Sequence, residues 1–208
     1  MKYMTINLLR YEEYFNTKEG KGFIREIIKK EDVDALESLL NWNGLSKQFL
    51  KEITEKIISL ITEKENGIIR DREDIKKLKS LFQYIIQQDV ADKEILNIVC
   101  EYITQSKSKY MDEDLDVAVR LLTLSKKLSG DIATKLYKYI VAYPNTKIKK
   151  ELLENIVSNP KISEDILFEL LTTSGYEPEI YVKAAKNLNS RRKQKSYKES
   201  YADYVANK

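Results

Sequence analysis

Histidine is absent from the 208 residues of this chain. Its absence excludes the serine–histidine and cysteine–histidine pairs of many hydrolases, and it excludes metal sites that need an imidazole ligand. The phosphate-binding patterns G-x-x-x-x-G-K-[ST] and G-x-G-x-x-G are missing as well. A hydrolase that uses carboxylates alone is still conceivable, but no pair of acids can be nominated for it. We therefore expect a protein that is not an enzyme and that binds no cofactor.

Cysteine, proline and glycine are scarce. The chain has 1 Cys, 3 Pro and 6 Gly. The single Cys100 cannot form an intramolecular disulfide, which suits a reducing compartment. An all-β fold needs many glycines and prolines for its tight turns, whereas long helices need few. The scarcity therefore favours an all-α fold.

Long apolar runs are missing too. No stretch approaches the ~20 apolar residues of a membrane span, and no secretory signal opens the chain. Charged residues make up 33% and hydrophobic residues 42%, as in a folded soluble protein. Lys, Ile, Asn and Tyr are abundant, and their AT-rich codons indicate a low-GC bacterium, its phage or a mobile element. We expect a cytoplasmic protein that does not associate with membranes.

Apolar residues instead recur with the 3.6-residue period of a helix along most of the chain. Polar residues that can cap a helix precede the apolar runs at intervals of 15 to 25 residues. Such intervals are typical of antiparallel helix hairpins with short links. The predicted N-caps are Ser46, Asp71, Asp92, Asp112, Asp131, Thr146 and Ser163. The clearest apolar stripes run through Phe49, Leu50, Ile53, Ile57, Leu60 and Ile61, through Ile75, Leu78, Leu81, Phe82, Ile85 and Ile86, and through Ile95, Leu96, Val99, Cys100 and Ile103.

The three prolines, Pro144, Pro160 and Pro178, follow one another at nearly equal intervals. A proline lacks an amide proton and disfavours helix in the preceding residue, so each one ends a helix and starts the next. The helices between them span only about 11 residues, which is marginal for an isolated helix. We expect each of these helices to bury its apolar stripe against a neighbour.

The same region resembles the leucine-rich-variant and HEAT-like class of helical repeats, mainly over residues 139–190. Those families use a break of the form Asn-Pro-x-[Ile/Thr]-x-x-x-[Ile/Leu]-Leu and a return helix that ends in Ala-x-Asn. The resembling segments are Pro144 to Leu153, Asn159 to Leu167 and Val182 to Asn187. The resemblance implies a surface for binding other molecules, and it carries over no catalytic residue.

Together these patterns predict an all-α fold with about 10–12 helices. We expect a right-handed stack of antiparallel helix hairpins, which is either a HEAT-like α-solenoid or an irregular helical bundle. Residues 1–189 are predicted to form one domain, with a soft boundary near 105–112 or 128–131. Residues 190–208 are predicted to form a basic, tyrosine-rich C-terminal helix or tail.

Three other features have a structural and a functional interpretation. Asp112, Asp114 and Asp116 have the spacing of a calcium loop, but Val117 and Thr123 replace the glycine and the glutamate that such a loop needs. These acids are better explained as the first turn of a helix. Cys100 lies on an apolar stripe, which favours a buried and inert thiol.

Trp42 lies in the sequence NWNG, between two predicted helices. Gly44 suits a left-handed helix stop, and Trp42 would then fill the turn. Core packing is the favoured interpretation, although a tryptophan is also a frequent anchor for a binding partner.

The C-terminal segment, residues 190–208, carries most of the basic character. It holds six Lys and Arg against two acids, so the remaining chain has a formal charge near −1 when the total is +3. Cations next to tyrosines can contact phosphates and stack on bases. The segment is alternatively a capping helix for the stack, or a disordered tail that orders on a protein partner. The candidate binding residues are Arg191, Arg192, Lys193, Lys195, Tyr197, Lys198, Tyr201 and Tyr204.

The sequence therefore predicts a non-enzymatic protein–protein interaction module that binds through a helical-repeat surface: an adaptor, an inhibitor or an assembly factor. The alternative is a nucleic-acid-binding protein that uses the C-terminal segment. No metal site is predicted, and the identity of a protein partner stays open.

Overall fold

A computed structural model describes residues 17–42, 44–66, 72–105, 113–142 and 148–206, apart from the side chains of residues 113 and 197–206. All regular elements in these ranges are helices, which confirms the predicted all-α fold. The α-helices are α1 (Lys18–Lys29), α2 (Val33–Leu40), α3 (Lys47–Asn66), α4 (Arg72–Ser80), α5 (Phe82–Gln87), α6 (Lys93–Gln105), α7 (Asp116–Leu124), α8 (Gly130–Ala142), α9 (Lys149–Ser158), α10 (Glu164–Thr172) and α11 (Pro178–Ala206), and a short 3-10 helix spans Glu113–Leu115.

The helices form two compact units that divide within α7, between Leu121 and Leu122. Among the described residues, unit 1 holds α1 to α6, the 3-10 helix and the beginning of α7. Unit 2 holds the end of α7 and all of α8 to α11. Residues 190–206 are not a separate element, because they continue the helix that begins at Pro178.

In unit 1, alternate helices run parallel. Arg25 of α1 pairs with Glu52 of α3 at 3.7 Å, and Glu31, just after α1, accepts from Lys56 at 2.6 Å. Positions further along α1 therefore meet positions further along α3, as expected when an antiparallel helix intervenes between them. The corresponding ion pairs between α3 and α6 are Lys47–Asp92 and Lys51–Glu94. Between α2 and α4 or α5, the corresponding contacts are the Lys77–Asp34 ion pair and the hydrogen bond that Tyr84 donates to Glu37.

The core of unit 1 consists of the apolar stripes predicted from the sequence. The stripe that begins at Ile75 continues across Leu81, where α4 ends and α5 begins, without losing its burial. Cys100 is fully buried and is not part of a disulfide, as predicted. All of the residues named for the three stripes above are buried.

Unit 2 has the same alternation of parallel helices. Asn155 and Asn159, at the end of α9, donate to Thr123 Oγ1 and to the carbonyl of Ser125, respectively. Lys183 of α11 in turn pairs with Glu154 of α9 at 2.6 Å. The end of α7, α9 and α11 therefore run parallel, and the Tyr137–Glu169 contact at 3.4 Å joins α8 to α10.

The consecutive helices α10 and α11 run antiparallel and form a hairpin. Tyr181, near the start of α11, donates to the carbonyl of Thr173 at 2.8 Å, just after the end of α10. Arg192, further along α11, lies over the ring of Phe168, earlier in α10. Polar side chains that join one hairpin to the next are 28 to 34 residues apart in the sequence. This separation is close to two of the intervals between successive prolines in the segment.

Most of the predicted helix starts within the described residues are confirmed. The Asp131 prediction is wrong, because α8 begins at Gly130 and Ser129 Oγ accepts from the amide of Ile132 at 3.4 Å. Asp131 instead lies in the first turn, where an acid stabilises the positive end of the helix dipole. Asp71, Asp112 and Thr146 lie outside the described residues. The confirmed caps are Ser46, Asp92 and Ser163, which accept from the amides of Phe49, Ile95 and Ile166.

Trp42 packs in the core, with 6% of its surface exposed, as the favoured interpretation predicted. The helix stop predicted at Gly44 is wrong, because α2 ends at Leu40 and its C-cap is Asn41, which has a right-handed backbone conformation. Gly44 is needed instead because a side chain at this position would collide with the Trp42 indole. A Cβ atom at this position would lie 2.9 Å from Nε1 of the Trp42 indole, and closer still to two ring carbons.

We predict that Gly44→Ala destabilises the protein by about 1–3 kcal/mol, because the indole must move out of a packed site. Gly22→Ala is the matched control, since a Cβ at that exposed position in α1 meets no atom within 4 Å. The control should stabilise the protein by up to about 1 kcal/mol through helix propensity. Chemical denaturation of both variants measures the difference, and equal stability of the two would refute the packing role of Gly44.

Candidate functional site: the C-terminal helix

Helix α11 is the longest described helix, with 29 residues. Pro178 begins it, which is a favoured position because the missing amide proton has no partner there in any helix. Ile180, Ala184 and Leu188 are buried at every fourth position, and from Asn189 to Ser196 no side chain is buried. The helix continues from Leu188 to Ala206, which is about 27 Å at ~1.5 Å per residue. Only its first part is therefore held by core packing among the described side chains.

Charge pairs fasten the beginning of α11 to the rest of unit 2. Lys150 of α9 pairs with Glu177 and, at 3.4 Å, with Glu179. The hydrogen bond to Glu177 is the main reason that the pKa of Lys150 is raised. The pKa of Glu179 is lowered, first by a hydrogen bond from its own backbone amide and then by the charge of Lys150. Lys150, Glu177 and Glu179 therefore form ion pairs within unit 2.

Asn187 connects α11 to the end of α9. Its side-chain amide donates to the carbonyl of Val157 at 2.7 Å and to the carbonyl of Asn159 at 2.9 Å. The last carbonyls of a helix have no partner within the helix, so these bonds satisfy groups that α9 leaves open. Asn159 also donates to the carbonyl of Ser125, just after α7. This network therefore links α11 to the ends of α9 and α7.

Arg191 belongs to the same polar network. Its Nε donates to Oδ1 of Asn187 at 3.0 Å, and its terminal nitrogen donates to the carbonyl of Asn159 at 3.3 Å. The guanidinium is half-buried. Arg191 was predicted as a binding residue, and the structure uses it to secure the helix.

Arg192 lies next to an exposed aromatic ring. Its guanidinium carbon is 5.5 Å from the centre of the Phe168 ring, within the range of a cation–π contact. Phe168 is 42% exposed, and it was not identified from the sequence. Helical periodicity selects the core side of α10, and this ring lies off that stripe.

The other predicted residues follow along the helix. Lys193 and Lys195 are exposed. The side chains of Tyr197, Lys198, Tyr201 and Tyr204 lie outside the described residues, although the helix itself continues through these positions. The described part of the candidate site is therefore an arginine–phenylalanine pair followed by two exposed lysines.

Other kinds of site receive no support from the described residues. No group of His, Cys, Asp or Glu side chains within them is arranged to hold a metal ion. None of the described helices is both long enough and apolar enough to cross a membrane. The most perturbed phenol is Tyr137, whose pKa is raised mainly by burial, so its hydroxyl stays protonated.

Comparison of the chain with protein-family models, with curated proteins and with solved structures found no match in any of the three. The HEAT-like resemblance of residues 139–190 therefore stays a prediction.

We predict that Asn187→Ala destabilises the protein by about 1–3 kcal/mol, because the Val157 carbonyl loses its Asn187 donor, the Asn159 carbonyl loses one of its donors and Arg191 loses an acceptor. Asn189→Ala is the matched control on the same helix, since Asn189 is exposed. Both changes gain the same helix propensity, and the control should stay within about 0.5 kcal/mol of the parent chain. Thermal or urea unfolding measures both variants, and an equal effect would show that the Asn187 bonds contribute nothing.

Proposed function

We propose that this chain is a non-enzymatic protein–protein interaction module, used as an adaptor, an inhibitor or an assembly factor. Its binding element is the distal half of α11, from Arg192 to Ala206. The observation that supports this proposal is the asymmetry of α11. Its first half is fixed by Leu188, Asn187 and Arg191, and the described side chains that follow are half-buried or exposed.

A helix that is fixed at one end suits recognition in a groove. An isolated helix of this length is marginal in water, but here the folded first half removes the cost of nucleation. The helix segment then loses less conformational entropy on binding to a partner than a disordered peptide would. Arginine and tyrosine, which the segment contains, are the residues most often found at binding hot spots.

The test removes most of the distal half without disturbing the attached half of α11. A chain that ends at Ser196 keeps Arg191 and Arg192, and its unfolding temperature should match that of the full chain. We predict that the full chain captures a stoichiometric protein partner from lysate of its native host, and that the shortened chain loses at least about 90% of this partner, or roughly 1.4 kcal/mol. The purified partner should then bind the full chain in a calorimeter.

Equal capture by both chains would place the binding surface elsewhere on the molecule. Recovery of no specific partner, together with turnover of some substrate, would refute the proposal of an interaction module.

A second candidate function, nucleic-acid binding, is favoured by one observation. Arg192 and the exposed Phe168 ring form a surface on which a base can stack, and Lys193 and Lys195 lie next to it along the helix. Three exposed acids on α10 oppose this function, because they repel phosphates: Glu164, Asp165 and Glu169.

We predict for this second function that the double variant Lys193→Gln, Lys195→Gln weakens binding to a single-stranded oligonucleotide. The plot of log affinity against log salt should also become less steep, its negative slope decreasing in magnitude by roughly 1–2. The matched control is Lys126→Gln with Lys127→Gln, two exposed lysines between α7 and α8. Fluorescence anisotropy over a salt series measures both. Absence of binding at low salt, or the same loss in the control, would exclude α11 as a nucleic-acid site.

A further inference from the structure

The hairpin of α10 and α11 in unit 2 exposes apolar side chains on both of its helices. Phe168 of α10 is 42% exposed and Val182 of α11 is 51% exposed. Val182, Ala185, Asn189 and Arg192 recur at spacings of three and four residues, so they share one side of α11. The contact of Arg192 with the Phe168 ring indicates that this side adjoins α10. We call the surface formed by this side of α11 and the exposed side of α10 the hairpin face.

The two helices of this hairpin carry charges of opposite sign. Helix α10 contains three acids and no basic residue. From Ile180 to Ser196, helix α11 contains six Lys and Arg residues and no acid. Among the described side chains no ion pair joins the two helices, and the described ion pair of Lys183 is with Glu154 of α9. The hairpin therefore presents an acidic and a basic helix next to each other.

Several of these charges are exposed at the hairpin face. Glu164 and Asp165 lie in the first turn of α10 and are exposed. Lys186 and Lys193 of α11 are exposed one turn beyond Val182 and Asn189. The ion pairs described for unit 2 include none of these four charged residues. They can therefore pair with charges on another molecule.

We propose that a second copy of this chain covers the hairpin face, so that the protein forms a weak dimer with two-fold symmetry. Most soluble homo-oligomers are closed and symmetric, and the same patch then faces itself across the axis. With the axis along the hairpin, the acidic α10 of each copy lies over the basic α11 of the other. Glu164 and Asp165 of one copy then approach Lys193 of the other, and Phe168 becomes buried between the two copies.

The size of the hairpin face determines the strength of this dimer. The 9 residues of α10 extend about 14 Å, and two adjacent helices are roughly 20 Å wide, so the face covers roughly 300 Å². Standard interfaces bury about 800 Å² on each partner, and smaller ones belong to transient complexes. We therefore expect a dissociation constant on the order of 10–100 μM.

This inference does not rest on the proposed function. The hairpin face overlaps the distal half of α11 only at Arg192 and Lys193, and its test needs no other protein. Failure of the dimer would leave the capture of a protein partner by α11 unaffected.

Sedimentation velocity of the purified full chain measures the association. We predict that the weight-average mass rises from that of a monomer at about 1 μM toward that of a dimer at about 300 μM. A chain that stays monomeric at about 300 μM would overturn the proposal and leave the face to a different kind of partner.

Charge reversal distinguishes this pairing from a general loss of structure. Glu164→Lys with Asp165→Lys, and separately Lys186→Glu with Lys193→Glu, each place like charges against each other in the homodimer. Each double variant alone should dimerise at least about tenfold more weakly. An equimolar mixture of the two should associate with nearly the parent affinity, because opposite charges meet again at both contacts. A mixture that associates no better than its components would refute the two-fold pairing.

The apolar part of the hairpin face has its own matched pair of variants. Val182→Lys should weaken the dimer by at least about tenfold, because it brings a charge into a contact that excludes water. Val117→Lys on α7 is the control, since that valine is 52% exposed and lies outside the hairpin face. The control should leave the dissociation constant of the dimer unchanged. Equal effects of the two substitutions would contradict a role of this face in dimerisation.

Discussion

Burial of one apolar stripe per helix against neighbouring helices is the constraint on which this structure depends. Helices α9 and α10 have only 10 and 9 residues, which is shorter than the roughly 12–15 residues at which an isolated helix becomes stable in water. They persist because α11 packs against both of them and α8 packs against α9. The same requirement fixes the alternation of parallel helices in each unit, since short links force consecutive helices to run antiparallel.

This register also brings polar groups together that are distant in the sequence. Asn159 lies at the end of α9, and its carbonyl accepts hydrogen bonds from Asn187 and from Arg191. Apolar packing alone would allow α11 to slide along α9, because a hydrophobic contact is not directional. Hydrogen bonds to fixed carbonyls allow only one position. The network therefore sets where the attached part of α11 ends and where its distal half begins.

The sequence predicted the helices better than it predicted the use of particular residues. The caps at Ser46, Asp92 and Ser163 were correct because a cap and its amide partner are local. The Asp131 cap was wrong because Ser129 competes for the same role two residues earlier. Composition marked Arg191 and Arg192 as candidate binding residues, but it could not reveal the contacts of Arg191 with Asn187 and Asn159 or that of Arg192 with Phe168.

Contacts between hairpins could not be predicted from the sequence for a similar reason. The bonds of Asn187 to Val157 and Asn159 depend on a register of about thirty residues, which no local pattern states. Space for Trp42 beside Gly44 is a second case, because a glycine in a turn is usually explained by its backbone angles.

The central claim is that α11 is one continuous helix, fixed to unit 2 by its first half and available to a partner through its second half. Amide hydrogen exchange along α11, read residue by residue by NMR, tests this claim most directly. The account predicts helical chemical shifts from Pro178 to Ala206, with strong protection up to Arg192 and protection at least ~100-fold weaker beyond Ser196, where exchange proceeds by local fraying. Uniform strong protection to the end of the helix, or a break in helical shifts near residue 189, would contradict it.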